Sequence, residues 1–303
     1  MINFSEHFVV MIKKITISCF LILLAKCGAA QPFADIVTFN CQTFTSNYKN
    51  YNSKNRTDDY FLNFFLPKEY KNGNILMIRL NSEYIHSSIA SSSGYELASI
   101  SLPAGFQLVT KDKKWKTVLM VIPKIASDFR DKMSSDDFQM GGIFLENYIV
   151  NEHLKIKAGL YYNREAFGNF FVPLAAIDWQ ATSKINFYGI IPTNYRVEYT
   201  LIKNKLYSGL GFKSFTRSFR LSGNEQKDYV RYDEIQLKYF IDYFIYSKFL
   251  LFGEIGYSLG KNPLQYVYNT KSPTEANPIF TPVKNGLLFN VGIAYRMRFD
   301  LNP

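Results

Sequence analysis

The chain has 303 residues, of which 17% are aromatic, 20% charged and 47% hydrophobic, with a formal net charge of +10. Its mean hydropathy is −0.11. A disordered chain would be poorer in aromatics and richer in charge, and a bundle of membrane-spanning helices would be far more apolar. An aromatic load this high fits either a β-rich soluble domain or a membrane β-barrel with aromatic girdles.

Residues 1–30 read as a secretory signal peptide, with Met11 a plausible true start. Lys13 and Lys14 supply a basic region, Ile15 to Ala25 an apolar run of 11 residues, and Gly28-Ala29-Ala30 small residues before a cleavage site at Gln31. The run is too short to span a bilayer as a helix, which takes about 20 residues. Removal of this segment leaves residues 31–303 as one domain with charge +8 and a single cysteine, Cys41. No intramolecular disulfide can then form, so the exported chain must be held together otherwise. A closed hydrogen-bonded sheet does this.

The remainder alternates with period two, the mark of strands with two unlike faces. Fourteen segments qualify in chain order: 36–46, 57–66, 74–86, 95–108, 115–123, 138–150, 153–163, 172–180, 185–190, 195–201, 205–221, 230–246, 248–260 and 286–299. The last is the cleanest. Phe289, Val291, Ile293, Tyr295, Met297 and Phe299 fall on one face, and Asn290, Gly292, Ala294, Arg296 and Arg298 on the other. Three segments read less simply. Pro103 inside the fourth costs a ladder hydrogen bond and suggests a bulge. Residues 115–122 are apolar on both faces apart from Lys116 and Thr117. In 205–221 the apolar phase switches between Phe212 and Phe215, which also suggests a bulge.

Connections alternate in length. The long ones are 47–56, 87–94, 124–137, 164–171, 222–229 and 261–285, the last with four prolines (Pro263, Pro273, Pro278, Pro282); short ones lie between, and only Ile191 to Asn194 breaks the order. Short turns at one end and long loops at the other describe an outer-membrane barrel. The expected fold is therefore all-β: a transmembrane antiparallel up-and-down β-barrel of about 14 strands, with 12 as the alternative. An even number places both termini on the periplasmic side. The partners expected from this location are outer-membrane lipid and lipopolysaccharide, and the barrel-assembly machinery during insertion. The scattered lysines form no dense basic cluster, so nucleic acid is not expected.

Short pieces stand in fixed order: Ile100 to Pro103, Lys114-Trp115-Lys116, Ile125 to Phe129, Ser135 to Phe138, Gly141-Gly142, Gly159 to Asn163, Pro173-Leu174, Ile177 to Trp179, and the strands at Tyr195–Tyr199 and Leu206–Gly211. This set resembles an uncharacterised family of Bacteroidetes outer-membrane β-barrels. The resemblance covers about half of residues 31–303 and implies a location and a fold. The family has no established activity, so no functional residue carries over.

Chemistry has little to work with. Beyond residue 30 the histidines are His86 and His153. His86 precedes Ser87, but adjacent strand residues face opposite ways, so a catalytic His–Ser pair is not expected there. Two distant histidines and one cysteine form no metal cluster. Asp58-Asp59 and Asp136-Asp137 lack a calcium-loop pattern, and there is no phosphate-binding glycine motif. Neither an enzyme nor a cofactor is expected. Charges facing lipid cost about 2–4 kcal/mol each near the midplane. The charged faces therefore predict ten lumen-facing residues: Glu146, Lys155, Lys157, Arg196, Glu198, Lys238, Asp242, Glu254, Arg296 and Arg298. The leading function is a porin-like passive channel for small polar solutes. The alternatives are a filled structural or surface-interaction barrel and, further off, a lipid-modifying enzyme. Barrels of 8 strands are filled by side chains and those of 16–18 leave an aqueous channel, so 14 strands stand between these cases.

Overall fold

The computed structural model describes residues 32–47, 54–89, 92–222, 229–259, 266–268 and 285–299. Strands run in chain order as β1 (Phe33–Asn47), β2 (Lys54–Glu69), β3 (Ile75–Ile89), β4 (Ser92–Ser101), β5 (Ala104–Val109), β6 (Trp115–Ser127), β7 (Phe138–Asn151) and β8 (Leu154–Glu165). They continue as β9 (Gly168–Gln180), β10 (Ile185–Ile190), β11 (Asn194–Ile202), β12 (Leu206–Arg220), β13 (Tyr229–Tyr246), β14 (Phe249–Ser258), β15 (Tyr266–Tyr268) and β16 (Leu287–Arg298). One short 3-10 turn, Ser135–Asp137, precedes β7.

Strands pair antiparallel in chain order, except that β4 and β5 both lie between β3 and β6 and β14 pairs with β16, and β1 pairs with β16 to close the ring. β4 and β5 are one strand interrupted at Leu102-Pro103, and β15 is a three-residue addition to the end of β13. The barrel therefore has 14 strands, as the alternation predicts, and not 12. Pro103 makes no bulge. The register against β3 runs unbroken from Asn81↔Ser101 to Ile78↔Ala104, and that against β6 from Lys124↔Ser101 to Val121↔Ala104. The Pro103 carbonyl still accepts from the Arg79 N–H at 2.8 Å, and the Leu102 N–H still reaches Pro123 O at 3.0 Å. The proline costs one donor and nothing more.

The outward positions form an apolar band. Val291 and Ile293 are 60% and 58% exposed, and Leu119, Phe144, Leu160 and Leu237 are likewise exposed. An exposed band this continuous is the surface a bilayer covers. Aromatic pairs border it at both ends. At the end carrying the termini stand Trp115–Tyr148 (4.7 Å), Trp179–Phe187 (5.4 Å) and Phe249–Tyr295 (5.3 Å), and towards the other end stand Tyr60–Tyr84 and Tyr162–Phe171. Tyr239, Tyr243 and Tyr257 also face outward. Phe299 does not follow its phase. It lies past the end of β16, its N–H bonded to Pro32 O, and it borders the lumen.

Turns at the termini end are two to five residues long. At the far end the sorting is weaker than the sequence suggests, because strands run on into the expected loops. β3 and β4 occupy most of 87–94, and only Ala166 and Phe167 separate β8 from β9. The prolines of 261–285 lie outside the described residues. The short connection after Ile190 has a local cause. β10 and β11 form a stubby hairpin that stops partway up the wall, where Ala175 bridges Ile191 and the Ser214 N–H reaches Thr193 O at 2.9 Å. Beyond that tip, β9 and β12 continue without the hairpin between them.

β12 uses this freedom. Its far end forms a parallel bridge, Arg220↔Ser127, with β6, a strand six places away around the ring. The register of β12 on β13 is unbroken from Leu206↔Tyr243 to Arg220↔Tyr229, so the bulge expected between Phe212 and Phe215 does not exist. The apolar phase switches because the barrel interior itself turns apolar there.

Candidate functional site: a two-faced lumen sealed at one end

The seal is built where the far ends of β12 and β13 cross the lumen. Phe219, Val230 and Tyr232 pack on Ile85, Leu97 and Ala126 from β3, β4 and β6, and five of these six residues are wholly shielded from solvent. Burial of each large apolar side chain is worth about 1.5–3 kcal/mol. A polar rim ties the crossing to the opposite wall. The Ser218 N–H and hydroxyl donate to Glu165 Oε2 at 2.8 and 2.6 Å, and Gln139 Nε2 donates to Ser218 O at 3.0 Å. Arg220 reaches Asp137 at 3.2 Å and the Ser134 hydroxyl at 2.6 Å, and the Asp128 N–H reaches Arg220 O at 3.0 Å. Asp137 lies outside the strands. Burial works against its charged form, but the Ser134 N–H, the Ser127 hydroxyl and Arg220 outweigh it and hold the carboxyl below its ordinary range.

Nearer the termini a second apolar cluster narrows the lumen on one side: Tyr207, Phe244, Leu250, Phe252 and Ala294. Charged residues interlock above and around it. Asp242, fully buried, accepts from Arg196 at 3.1 Å and from Arg296 at 2.5 Å. Arg296 also holds Asp35 at 2.6 Å. Glu254 takes Arg196 at 2.8 Å, Lys238 at 2.5 Å and the Asn290 amide at 2.9 Å. Arg298 pairs with the buried Glu198 at 2.6 Å, and the Tyr188 hydroxyl donates to the same carboxylate at 3.1 Å. On β8 and β9, Lys157 pairs with Asp178 at 2.6 Å. Arg217 bridges Asp59, at 3.0 Å, and Glu83 closer to the seal.

Between the seal and the termini end lies a cavity of about 700 Å³. Its two walls differ. The wall made by β11–β14, β16 and β1 presents Arg196, Lys213, Lys238, Glu254, Asn290 and Arg296. The wall made by β2, β3, β6 and β7 is mostly apolar, with Phe61, Phe65, Ile75, Met77, Val118, Met120, Ile122, Ile143 and Leu145, and carries Asp59, Arg79, Glu83 and Asn147 among them. This explains why 115–122 is apolar on both faces: one face meets lipid and the other meets the chamber.

The structure places nine of the ten residues expected in the lumen on inward positions. Lys157, Arg196, Lys238, Glu254 and Arg296 border the cavity, Glu198 and Asp242 sit behind it in the ion network, Arg298 joins Glu198, and Lys155 is inward on β8. Glu146 is the exception. Its neighbours Leu145 and Asn147 point in, so Glu146 points out, accepting from the Thr117 hydroxyl at 2.8 Å beside the Trp115–Tyr148 pair. The reading of polar as inward fails on β7 because the chamber wall there is apolar. Sequence reasoning also missed Arg79, Gln107, Lys213 and Arg217. They occupy strands whose inward phase is mixed, and only strand register reveals which way they point. His86 is outward, 3.8 Å from Glu96, while Ser87 is buried inside beside Thr57, so the two do not meet. His153 caps an exposed turn against Gln180 at 3.0 Å. No group of three metal-ligating side chains exists among the described residues.

No protein-family model and no curated protein sequence matches the chain. Solved structures do. The translocator domain of the autotransporter NalP from Neisseria meningitidis matches at 11% identity and a TM-score of 0.43, covering 96% of this chain and 98% of that one. An outer membrane channel from Pseudomonas putida F1 matches at 10% identity and a TM-score of 0.44, covering 89% and 98%. The TodX monoaromatic hydrocarbon channel, as its deltaS2 mutant, matches at 8% identity and a TM-score of 0.45, covering 88% and 91%. At these levels the likeness is one of β-barrel architecture, and nothing about activity follows from it.

Proposed function

We propose that the protein is a conduit for a small solute across the outer membrane of a Gram-negative bacterium, with both termini periplasmic and lipopolysaccharide around its far rim. In this reading the lumen is a chamber that holds the solute and the crossing end of β12–β13 is its outer closure. The observation that carries it is the 700 Å³ cavity. A barrel built only as a scaffold would fill that space with side chains, as its seal region does. Insertion by the barrel-assembly machinery belongs to the same proposal, supported by the signal-peptide layout of residues 1–30.

A cross-link tests it. Ser127→Cys with Arg220→Cys places two thiols at the bridged positions of β6 and β12. Flux of small solutes into protein-loaded vesicles should stop when the pair is oxidised and return on reduction. Flux that ignores the cross-link, or an absence of flux in both states, overturns the reading.

A further inference from the structure

The ion network leaves a remainder. Six cations border the chamber: Arg79, Lys157, Arg196, Lys213, Lys238 and Arg296. Lys157, Arg196, Lys238 and Arg296 each meet a carboxylate within 3.1 Å. Arg79 and Lys213 form no salt bridge among the described residues; Asp35 acts on Arg79, and Glu234 on Lys213, only through space. Their contacts are with rings: the Arg79 guanidinium lies 4.1 Å from the Phe65 centroid, and Lys213 Nζ lies 5.1 Å from that of Phe215. Ring faces stabilise a cation only modestly, and both charged ends stay open to the chamber: Arg79 is half-buried and Lys213 exposed.

A third donor is also unused. Gln107 lines the chamber at 8% exposure, and its Nε2 has no hydrogen-bond partner among the described residues. Buried donors left without partners are rare and costly. The two cations and the amide share the chamber with the apolar wall of Met77, Met120, Ile122 and Leu145. The volume lies within the range of about 300–1,000 Å³ typical of pockets for small organic ligands.

We propose that the chamber binds a small organic anion with an apolar body, its carboxylate or equivalent acid taken by Arg79 and Lys213 and its body laid on the Met77–Met120 wall. A simple hydrophilic ion leaves that wall wetted for no gain, and an apolar molecule without charge leaves the two cations unmatched. The proposal rests on the conduit reading and names its solute class.

Three compounds with one body separate the contributions: 4-phenylbutyrate, 4-phenylbutanol and 4-phenylbutylammonium. Binding is measured by equilibrium dialysis against the protein in lipid nanodiscs, with empty nanodiscs subtracted. The anion should bind at least tenfold tighter than the alcohol, and the ammonium compound more weakly still. Arg79→Met with Lys213→Met should cut anion binding tenfold or more and leave the alcohol unchanged. Lys213→Met alone, at a site exposed within the lumen, gives a partial loss should the double variant fail to form a barrel. Met77→Gln with Met120→Gln should weaken anion and alcohol together. Equal binding of the three compounds, no binding above empty nanodiscs, or an anion affinity indifferent to the cation variants overturns the proposal. Selective binding without flux in the cross-link experiment would instead sink the conduit reading and leave the site standing, whereas flux without anion preference would do the reverse.

Discussion

The two walls of the lumen obey different rules. On the β11–β16 side every inward position is polar or packed, charges interlock, and the lipid face is plainly the apolar one. On the β2–β7 side the inward face mixes apolar residues with Asp59, Arg79, Glu83, Gln107 and Asn147, and polarity tells in from out less clearly. The first wall is held by electrostatics within a low-dielectric space, where an unpaired group is expensive. The second borders a chamber, and its side chains have open space on one side. Substitutions of similar size should therefore cost unlike amounts on the two walls.

The largest effect is expected at Asp242, which joins Arg196 to Arg296. Asp242→Ala leaves two buried arginines short of a partner and should cost about 3–5 kcal/mol, read as a lowered urea midpoint in lipid vesicles. Next comes the lipid face of β16. Val291→Arg should cost about 2–4 kcal/mol, while Asn290→Arg, one residue away and inward, should cost clearly less in the same assay; equal costs would undo the facing assigned here. On the apolar wall, Leu145→Ala should cost about 1 kcal/mol, well under the 2–5 kcal/mol usual for a packed core leucine, because the chamber already adjoins it. Leu250→Ala, in the cluster with Tyr207 and Phe244, should fall in that usual range, and a Leu145 value as large would show that the second wall is packed after all.

The smallest effect concerns pH and the seal. The Asp137 carboxyl is held below its ordinary range, so the folded state keeps it charged where the unfolded chain, near pH 3.9, begins to take up a proton. Its contribution is complete above that pH and fades as pH falls towards the lower folded value. Asp137→Asn should flatten this acid dependence, measured as urea midpoints between pH 3 and 6, by lowering stability at neutral pH towards its acid value.

Much of the barrel was legible in the sequence because period two is a strong signal wherever the faces contrast. The strands at 230–246 and 286–299 contrast fully, and Lys238, Asp242 and Arg296 lie on their inward faces. Glu146 was misplaced for the same physical reason that Arg79 and Gln107 were missed: on an apolar chamber wall the charged residue is no guide to direction, and only pairing to neighbours fixes it. The two expected bulges were inferred from local irregularity. At Pro103 the ladder absorbs one lost donor, and at Phe212–Phe215 the pattern changes because the interior changes, not because the strand does. The second difference is not visible without knowing that β12 crosses to β6, a contact between residues 93 apart in the chain.

The pairing of β1 with β16 has a consequence in time. The Asn40 amide meets Asn290 across 250 residues, and twelve register positions join the two strands. Until β16 has been made and delivered, β1 carries an unsatisfied edge, which in a bilayer has no water to turn to. Contacts so distant in sequence form slowly, and an open strand edge invites pairing with other chains. A chain lacking β16 should therefore fail as a whole, accumulating as aggregate or as degraded precursor, and not persist as a barrel one strand short.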